Sequence, residues 1–418
     1  MTDAPAVPAP RTSVAARRGA PARQGTLREH NLRLVLSCVL DAAADPQEPP
    51  PSRADLASAT GLTRGAVSAL VDLLVSARLL VELAPAVAVR AGRPAVPLAP
   101  ARGTVVGLGA EINVDYIGVL AVDLAGEVLA ERTLAGDFRD SDPAVVLRRL
   151  AVMVGEVRAA LAPEARVAGL CLALPGLVDR ITGPLRLAPN LGWQDVDVVE
   201  LLAPSPGLDG VPIRLANEAN LAARAEARTG GAGQSFLYVS GEVGIGAAIV
   251  LDGEIFAGRH GWSGELGHTV VDQGGPRCTC GSFGCLEQYA GKDALLRAAG
   301  IDLAEPVAAL VAAADAGDPV ALAALARGGQ ALGVALANFI NLVDVESVVL
   351  GGVYAPLAPH LAAPVVAELR DRVLAAPWQD ARVLVASAGS NAAMLGAGIA
   401  VLRTVVEDPS AWVPAPPD

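Results

Sequence analysis

Four side chains with metal-binding chemistry fall in one short stretch, His268, Cys278, Cys280 and Cys285, with the spacing H-x9-C-x-C-x4-C. Three thiolates and one imidazole are the number and softness that tetrahedral zinc prefers, and with four protein donors no coordination position stays open. The expected ion is therefore a structural Zn2+. Gly281 and Gly284 supply the backbone freedom that a loop wrapped round an ion needs. The competing reading is a loop with three unrelated thiols. Cys38 and Cys171 sit in apolar runs and read as core residues. Glu265 lies three residues before His268 and Glu287 two after Cys285, so closure of the loop brings two carboxylates together. Rigid paired acceptors suit sugar hydroxyls, although glutamates are more often simply solvated.

A second chemistry lies near the N-terminus. Ser52 can cap a helix carrying Ala54, Leu56 and Ala57; Gly61 suits a left-handed turn; Thr63 caps a second helix running to about Ala77. Helix, glycine turn, helix is the pattern of a helix-turn-helix, and an ordinary helical hairpin is the plainer alternative. Burial of Val67, Leu70, Val71 and Leu74 leaves Thr63, Arg64 and Ser68 on the outer N-terminal face, where a recognition helix meets base edges and phosphates of a double-stranded DNA operator. Leu79 to Leu83 and a second apolar stretch after Ala91-Gly92-Arg93-Pro94-Ala95 read as a hairpin wing. Its tip carries Arg90 and Arg93, which could enter a minor groove.

The elements that must position these groups follow from periodicity. Residues 1–24 mix Pro, Ala, Arg and Ser without apolar period and read as a disordered tail. Leu32, Val35, Leu36, Val39 and Leu40 mark a first helix that the Pro-rich stretch after Asp45 ends. Beyond residue 100, Val105–Gly109, Tyr116–Val122 and Val128-Leu129 form a β-meander, Pro143–Leu161 a helix, and Val167–Ala173 and Ile213–Ala216 buried strands. A second unit follows, with strands at Phe236–Val239, Gly244–Val250 and Val348–Gly352 and helices at Asp293–Ala299, Val307–Ala314 and Pro319–Leu342. Two successive α/β units place a ligand cleft between them.

Composition bounds the function class. The 418 residues are 52% hydrophobic but only 3% aromatic, so the cores are built from Ala, Val and Leu. The net charge of -12 is uneven: residues 1–100 carry 11 Arg against 8 acidic residues, so the basic end is the candidate nucleic-acid end. No uninterrupted apolar run approaches the roughly 20 residues of a membrane span, and no signal-peptide stretch opens the chain, so the expected location is the cytoplasm, away from any membrane.

The run Gly264-Glu265-Leu266-Gly267-His268, continued by Cys278-Thr279-Cys280-Gly281-Ser282-Phe283-Gly284-Cys285-Leu286-Glu287, closely resembles the signature of the ROK family (repressors, open reading frames and kinases). Leu174–Asp179, Pro189–Trp193, Asn217–Asn220 and Leu350–Val353 also resemble family segments, so the likeness spans about residues 101–405. Leu27-Arg28-Glu29-His30-Asn31, the helix pair and Gly92-Arg93-Pro94 resemble the repressor branch. The resemblance implies a winged helix-turn-helix followed by a two-lobed, actin-like, hexokinase-type (ribonuclease H-like) sugar-kinase fold. Its expected division is a DNA-binding domain at 25–100, a first lobe at 101–225 and about 390–418, and a second lobe with the zinc loop at 226–389. It also implies a sugar held by Asn217, Glu218, Glu265, His268 and Glu287, with His268 giving one ring nitrogen to zinc and the other to a hydroxyl.

Kinase members of the family carry Asp-x-Gly-Gly-Thr where this chain reads Glu111-Ile112-Asn113-Val114-Asp115, and Gly-Thr-Gly-Ile-Gly where it reads Glu242-Val243-Gly244-Ile245-Gly246. Val114 puts a side chain where backbone must approach a phosphate, and Asp115 and Glu242 add negative charge, reversing the electrostatics of phosphoryl transfer. Glu218 stands where kinases have the Asp that accepts the sugar proton, one methylene longer and off line. The favoured function is a sugar-responsive, DNA-binding repressor of carbohydrate-utilisation genes, without enzyme activity and acting as a homodimer or homotetramer. The alternatives are an ATP-dependent sugar kinase and a DNA-binding regulator controlled by a partner protein.

Overall fold

The computed structural model describes residues 24–45, 47–84, 95–179, 183–241 and 244–413. The tail expected at 1–24 therefore lies outside the described residues except for Gln24, which opens a helix.

Three helices come first: α1 (Gln24–Ala44), α2 (Arg53–Thr60) and α3 (Arg64–Ser76). Ser52 forms a capping box with Asp55 at the start of α2, Gly61 ends it in the left-handed conformation (φ 71°), and Thr63 Oγ1 accepts the Ala66 N–H at the start of α3. Val67, Leu70, Val71 and Leu74 point inward as the periodicity requires, against Leu32, Val35, Leu36 and Val39 of α1. β1 (Leu80–Glu82) and β2 (Leu98–Pro100) then pair antiparallel, Val81 opposite Ala99. Arg53 ties the three parts together by bonding Asp72 on α3 and Glu82 on β1.

The next strands are β3 (Val105–Ile112), β4 (Tyr116–Asp123) and β5 (Val128–Ala135), followed by α4 (Pro143–Ala159) and β6 (Arg166–Leu174). After them come β7 (Leu177–Val178), β8 (Leu185–Ala188), β9 (Trp193–Val196), α5 (Val198–Leu202), β10 (Ile213–Asn217) and α6 (Glu218–Ala227). β3, β4 and β5 form an antiparallel meander, and β6 and then β10 add parallel on the other side of β3. The second unit contains β11 (Phe236–Gly241), β12 (Ile245–Leu251), β13 (Glu254–Ile255), α7 (Glu287–Ala290), α8 (Lys292–Ala298), α9 (Val307–Asp315) and α10 (Pro319–Val343). It continues with β14 (Ser347–Gly352), α11 (Tyr354–Arg372) and β15 (Arg382–Val385); α12 (Ala392–Glu407) then returns to pack on β3, β6 and α6 of the first unit.

Its sheet repeats the first in order and direction: the meander β11, β12, β13, with β14 and β15 added parallel beside β11. This duplicated α/β unit is the two-lobed sugar-kinase-type architecture that the resemblance implies. A small antiparallel sheet of β7, β8 and β9, which periodicity did not anticipate, follows β6.

Separate cores fill the lobes, one on α4 and one on α7 to α11. A third, built from alanines of α6 with Cys171, Phe236, Tyr238 and Val401, lies between the two sheets. Burial pushes the Cys171 thiol up to about 12, so it stays protonated, as a core residue should. A fourth core joins the N-terminal helices to the first lobe through Leu120, Val122, Met394 and Leu402.

Two further ties cross that junction: Arg166 donates to the Ala77 carbonyl while stacking over Trp412, and Thr104 Oγ1 donates to Arg78 O at 2.6 Å. No apolar run of span length is uninterrupted in α10, since Arg327 and Gln330 fall within it. α10 is long and apolar enough by length and composition to cross a bilayer, yet just over half of its most apolar stretch, 56%, is buried in the second-lobe core against α11.

Candidate ligand cleft and metal centre

The donor atoms of His268, Cys278, Cys280 and Cys285 all lie within 4.8 Å of one another. Cys278 Sγ is 3.9 Å from His268 Nδ1, and Cys280 Sγ is 3.7 Å from Cys285 Sγ. Backbone bonds fold the loop: Cys278 N–H donates to Ser282 O, Gly281 N–H to Cys278 O and Leu286 N–H to Thr269 O. Gly284 has φ +67°, and a Cβ there would sit 1.6 Å from Asp272 O, so no other residue fits.

Burial opposes ionisation of Cys278, but bonds from Cys280, His268 and Cys285 outweigh it and bring the thiol down to about 7. Burial and the same neighbouring thiols push Cys285 up to about 12. The set therefore yields its first thiolate near neutrality and can hold a metal ion.

The histidine ring joins this cluster to a cleft between the lobes. All five expected sugar ligands, Asn217, Glu218, Glu265, His268 and Glu287, line that cleft. Glu265 opens the short 3-10 turn Leu266–His268, and Glu287 starts α7 immediately after the cysteine loop. Burial raises both carboxyls, and nearby His268 partly offsets this; Glu287 adds to the rise at Glu265. The Ile245 N–H also bonds Glu287, and its Oε2 would lie 2.6 Å from a Cβ on Gly244, so Gly244 leaves room for the acid.

Asn217 plays a more local part than expected. Its Oδ1 accepts the N–H groups of Ala219 and Asn220, capping α6, and its Nδ2 donates to Gly176 O, leaving one amide hydrogen for the cleft.

Two residues of the cleft had no assigned role in the sequence reading. Asn190 lies in the Pro189–Trp193 segment and approaches Gly244 from the side of Glu287; Asn113, 4% exposed, lines the same wall. Their signal was their place inside or beside family segments, since asparagine alone carries none. Val114 also lines the cleft. Asp115 departs from expectation. Its carboxylate is neutralised by Lys292 Nζ at 3.1 Å and Arg139 at 3.2 Å, so it joins the first lobe to α8 of the second rather than lending the cleft a free negative charge. Glu242 and Val243 lie outside the described residues.

On the N-terminal unit, Thr63 and Arg64 are exposed at the start of α3 and Ser68 is half-buried one turn on, so the three share one end of the helix. Arg90 and Arg93 lie outside the described residues.

A family model described as the ROK family matches residues 107–404. The xylose repressor of Bacillus subtilis is 28% identical over 90% of this chain and 95% of its own length. A crystal structure of a ROK family transcriptional regulator, a homologue of the Escherichia coli MLC protein, superposes with a TM-score of 0.73 at 28% identity, covering 91% of this chain and 97% of that one. A ROK hexokinase from Thermus thermophilus superposes at 0.60 with 27% identity, over 72% of this chain and 99% of its own.

Proposed function

The chain belongs to the ROK family, and from that premise we propose that it is a DNA-binding transcriptional repressor of the family's repressor branch, with a sugar as its effector. The observation that carries this reading is the convergence of Glu218, Glu265, His268 and Glu287 on one interlobe cleft in a chain whose first hundred residues add a helix, glycine turn, helix and strand pair. We read that unit as a winged helix-turn-helix. Arg64 and Ser68 contact bases or phosphates. A ligand bound more tightly by one degree of lobe closure shifts the population, and the core shared by α1, α12 and the first sheet carries that shift to the DNA-binding unit.

The four-donor cluster suits a structural zinc. At Zn–S distances of about 2.3 Å, tetrahedral geometry separates two sulfurs by about 3.8 Å, beside 3.7 Å for Cys280 and Cys285. His268 would bind the ion through Nδ1 and leave Nε2 for a sugar hydroxyl. Phosphoryl transfer is not part of the proposed function. Glu111, where kinases carry Asp, is buried and its carboxyl is raised to about 7, and Val114 occupies the position that a phosphate must approach.

Leu342 near the end of α10 and Leu374 and Trp378 just beyond α11 are more than four-fifths exposed, which supports self-association as a homodimer. Sedimentation of Trp378→Glu as a monomer would support that interface.

Fluorescence anisotropy on DNA from upstream of its own gene, at fixed salt and with sugars added singly, tests the reading. Release or tightening by one sugar supports it and names the effector; tight binding unmoved by every sugar favours control by a partner protein. ATP turnover with any hexose or pentose would restore the kinase reading.

A further inference from the structure

Two more cavities lie between the sugar cleft and the N-terminal helices. One shares Asn217 with the cleft; the other shares Arg224 with the first and is walled by Ser37, Leu40 and Asp41 of α1. Asn220 and Arg224 are four residues apart on α6, hence on one face, and both line the first cavity. Asn220 is 9% exposed. Its Oδ1 and the Nε of Arg224 are sealed from solvent without a hydrogen-bond partner, two of only four such atoms among the described residues. A guanidinium N–H held this way costs more than an ordinary bond returns, and desolvation, with Arg403 next in effect, weakens the hold of Arg224 on its charge. Arg214 of β10 and Arg403 of α12 complete the basic wall. Glu254 and Glu407 hydrogen-bond Arg403, which leaves Arg214 and Arg224 as the guanidiniums without a hydrogen-bonded carboxylate.

We propose that this cavity is a second effector site, distinct from the sugar cleft, that takes a small phosphate-class anion. An anion oxygen accepts from the terminal N–H groups of Arg224, from Arg214 and from Asn220 Nδ2, all on residues that line the cavity. Glu254 and Glu407 limit the site to a small anion, since a larger one would meet their charge. Arg224 also walls the neighbouring cavity that α1 lines, so the bound anion sits one cavity away from the N-terminal unit.

Calorimetric titration of the full-length protein with sodium phosphate, glycerol 3-phosphate and, as control, sodium chloride at matched ionic strength reads the site directly, without DNA. The expected result is saturable binding of at least one phosphate compound and none of chloride, weakened at least tenfold in Arg214→Gln and in Arg224→Gln. Saturation by phosphate identifies the free anion, and saturation by glycerol 3-phosphate alone identifies an ester. Arg214 is an exposed strand residue, so its variant keeps the test open should Arg224→Gln fail to fold. Absence of saturable binding, affinity retained in Arg214→Gln, or an equal loss in the cleft variant Glu287→Gln each overturns the proposal.

Discussion

Replacing Glu111 with Gln should change the pH dependence of stability in a defined direction. Glu111 is 3% exposed on β3, the central strand of the first sheet, between Gly118 of β4 and Ala173 of β6. Burial raises its carboxyl from 4.5 to about 7 against the opposing bonds of Tyr116 and Asn113. Unfolded chains ionise near 4.5, whereas the folded protein keeps the proton until about 7. In that window the native state binds the extra proton, so the contribution is fully present below 4.5 and is lost as the pH rises through 7. At about 1.4 kcal/mol per pH unit the interval is worth about 3 kcal/mol. Gln keeps the shape of the neutral acid and has no proton to lose. In urea titrations, Glu111→Gln should match the parent near pH 4.5 and exceed it by up to about 3 kcal/mol at pH 8. Shifts at Glu265 and Glu287 cancel in the difference. A parent-to-variant difference that is the same at pH 5 and pH 8 would refute the reasoning.

Cys280→Ser removes one of four donors, and zinc content by atomic absorption should fall from one per chain toward zero, with loss of any sugar response and with DNA binding intact; full zinc retention would sink the assignment of the cluster. Arg64→Ala should weaken operator binding by about 1–3 kcal/mol if the side chain reads a base, whereas an equal loss on random DNA would make it a phosphate contact. Lys292→Met breaks the ion pair from α8 to Asp115 between the lobes, and small-angle scattering of the sugar-free protein should report a larger radius of gyration; an unchanged radius means that the pair does not hold the lobes together.

The helix caps of the N-terminal unit and the four-donor cluster were legible because they are local. Capping of α2 and α3 depends on Ser52, Gly61 and Thr63 acting within a few residues, and a four-donor loop with Gly281 and Gly284 needs little outside itself to close. The strands of the first meander, and β11 and β12 of the second, were legible for the same reason, since their alternation and turns are short-range, whereas the two-residue β13 was not. The short helices α5 and α7 were not, nor were three longer ones. α6 buries alanines where periodicity is read from large aliphatics, α11 contains Pro359 and Pro364, and α12 contains Gly396 and Gly398. Helix propensity counts against the last two, and packing overrides it: a Cβ on Gly396 would lie 1.7 Å from Leu221 O, so α12 can seat on α6 only because the residue is small.

By itself, then, the sequence determined which groups exist and which lie within a turn or a loop of one another: the thiol–imidazole cluster and the caps. Tertiary structure alone decided what charge those groups meet. It gave Asp115 two cations from distant segments, spent Asn217 on the cap of α6, buried Glu111 so that its carboxyl is raised to about 7, and left Arg224 Nε without an acceptor. Electrostatic fate depends on burial and on partners far along the chain, which spacing does not encode.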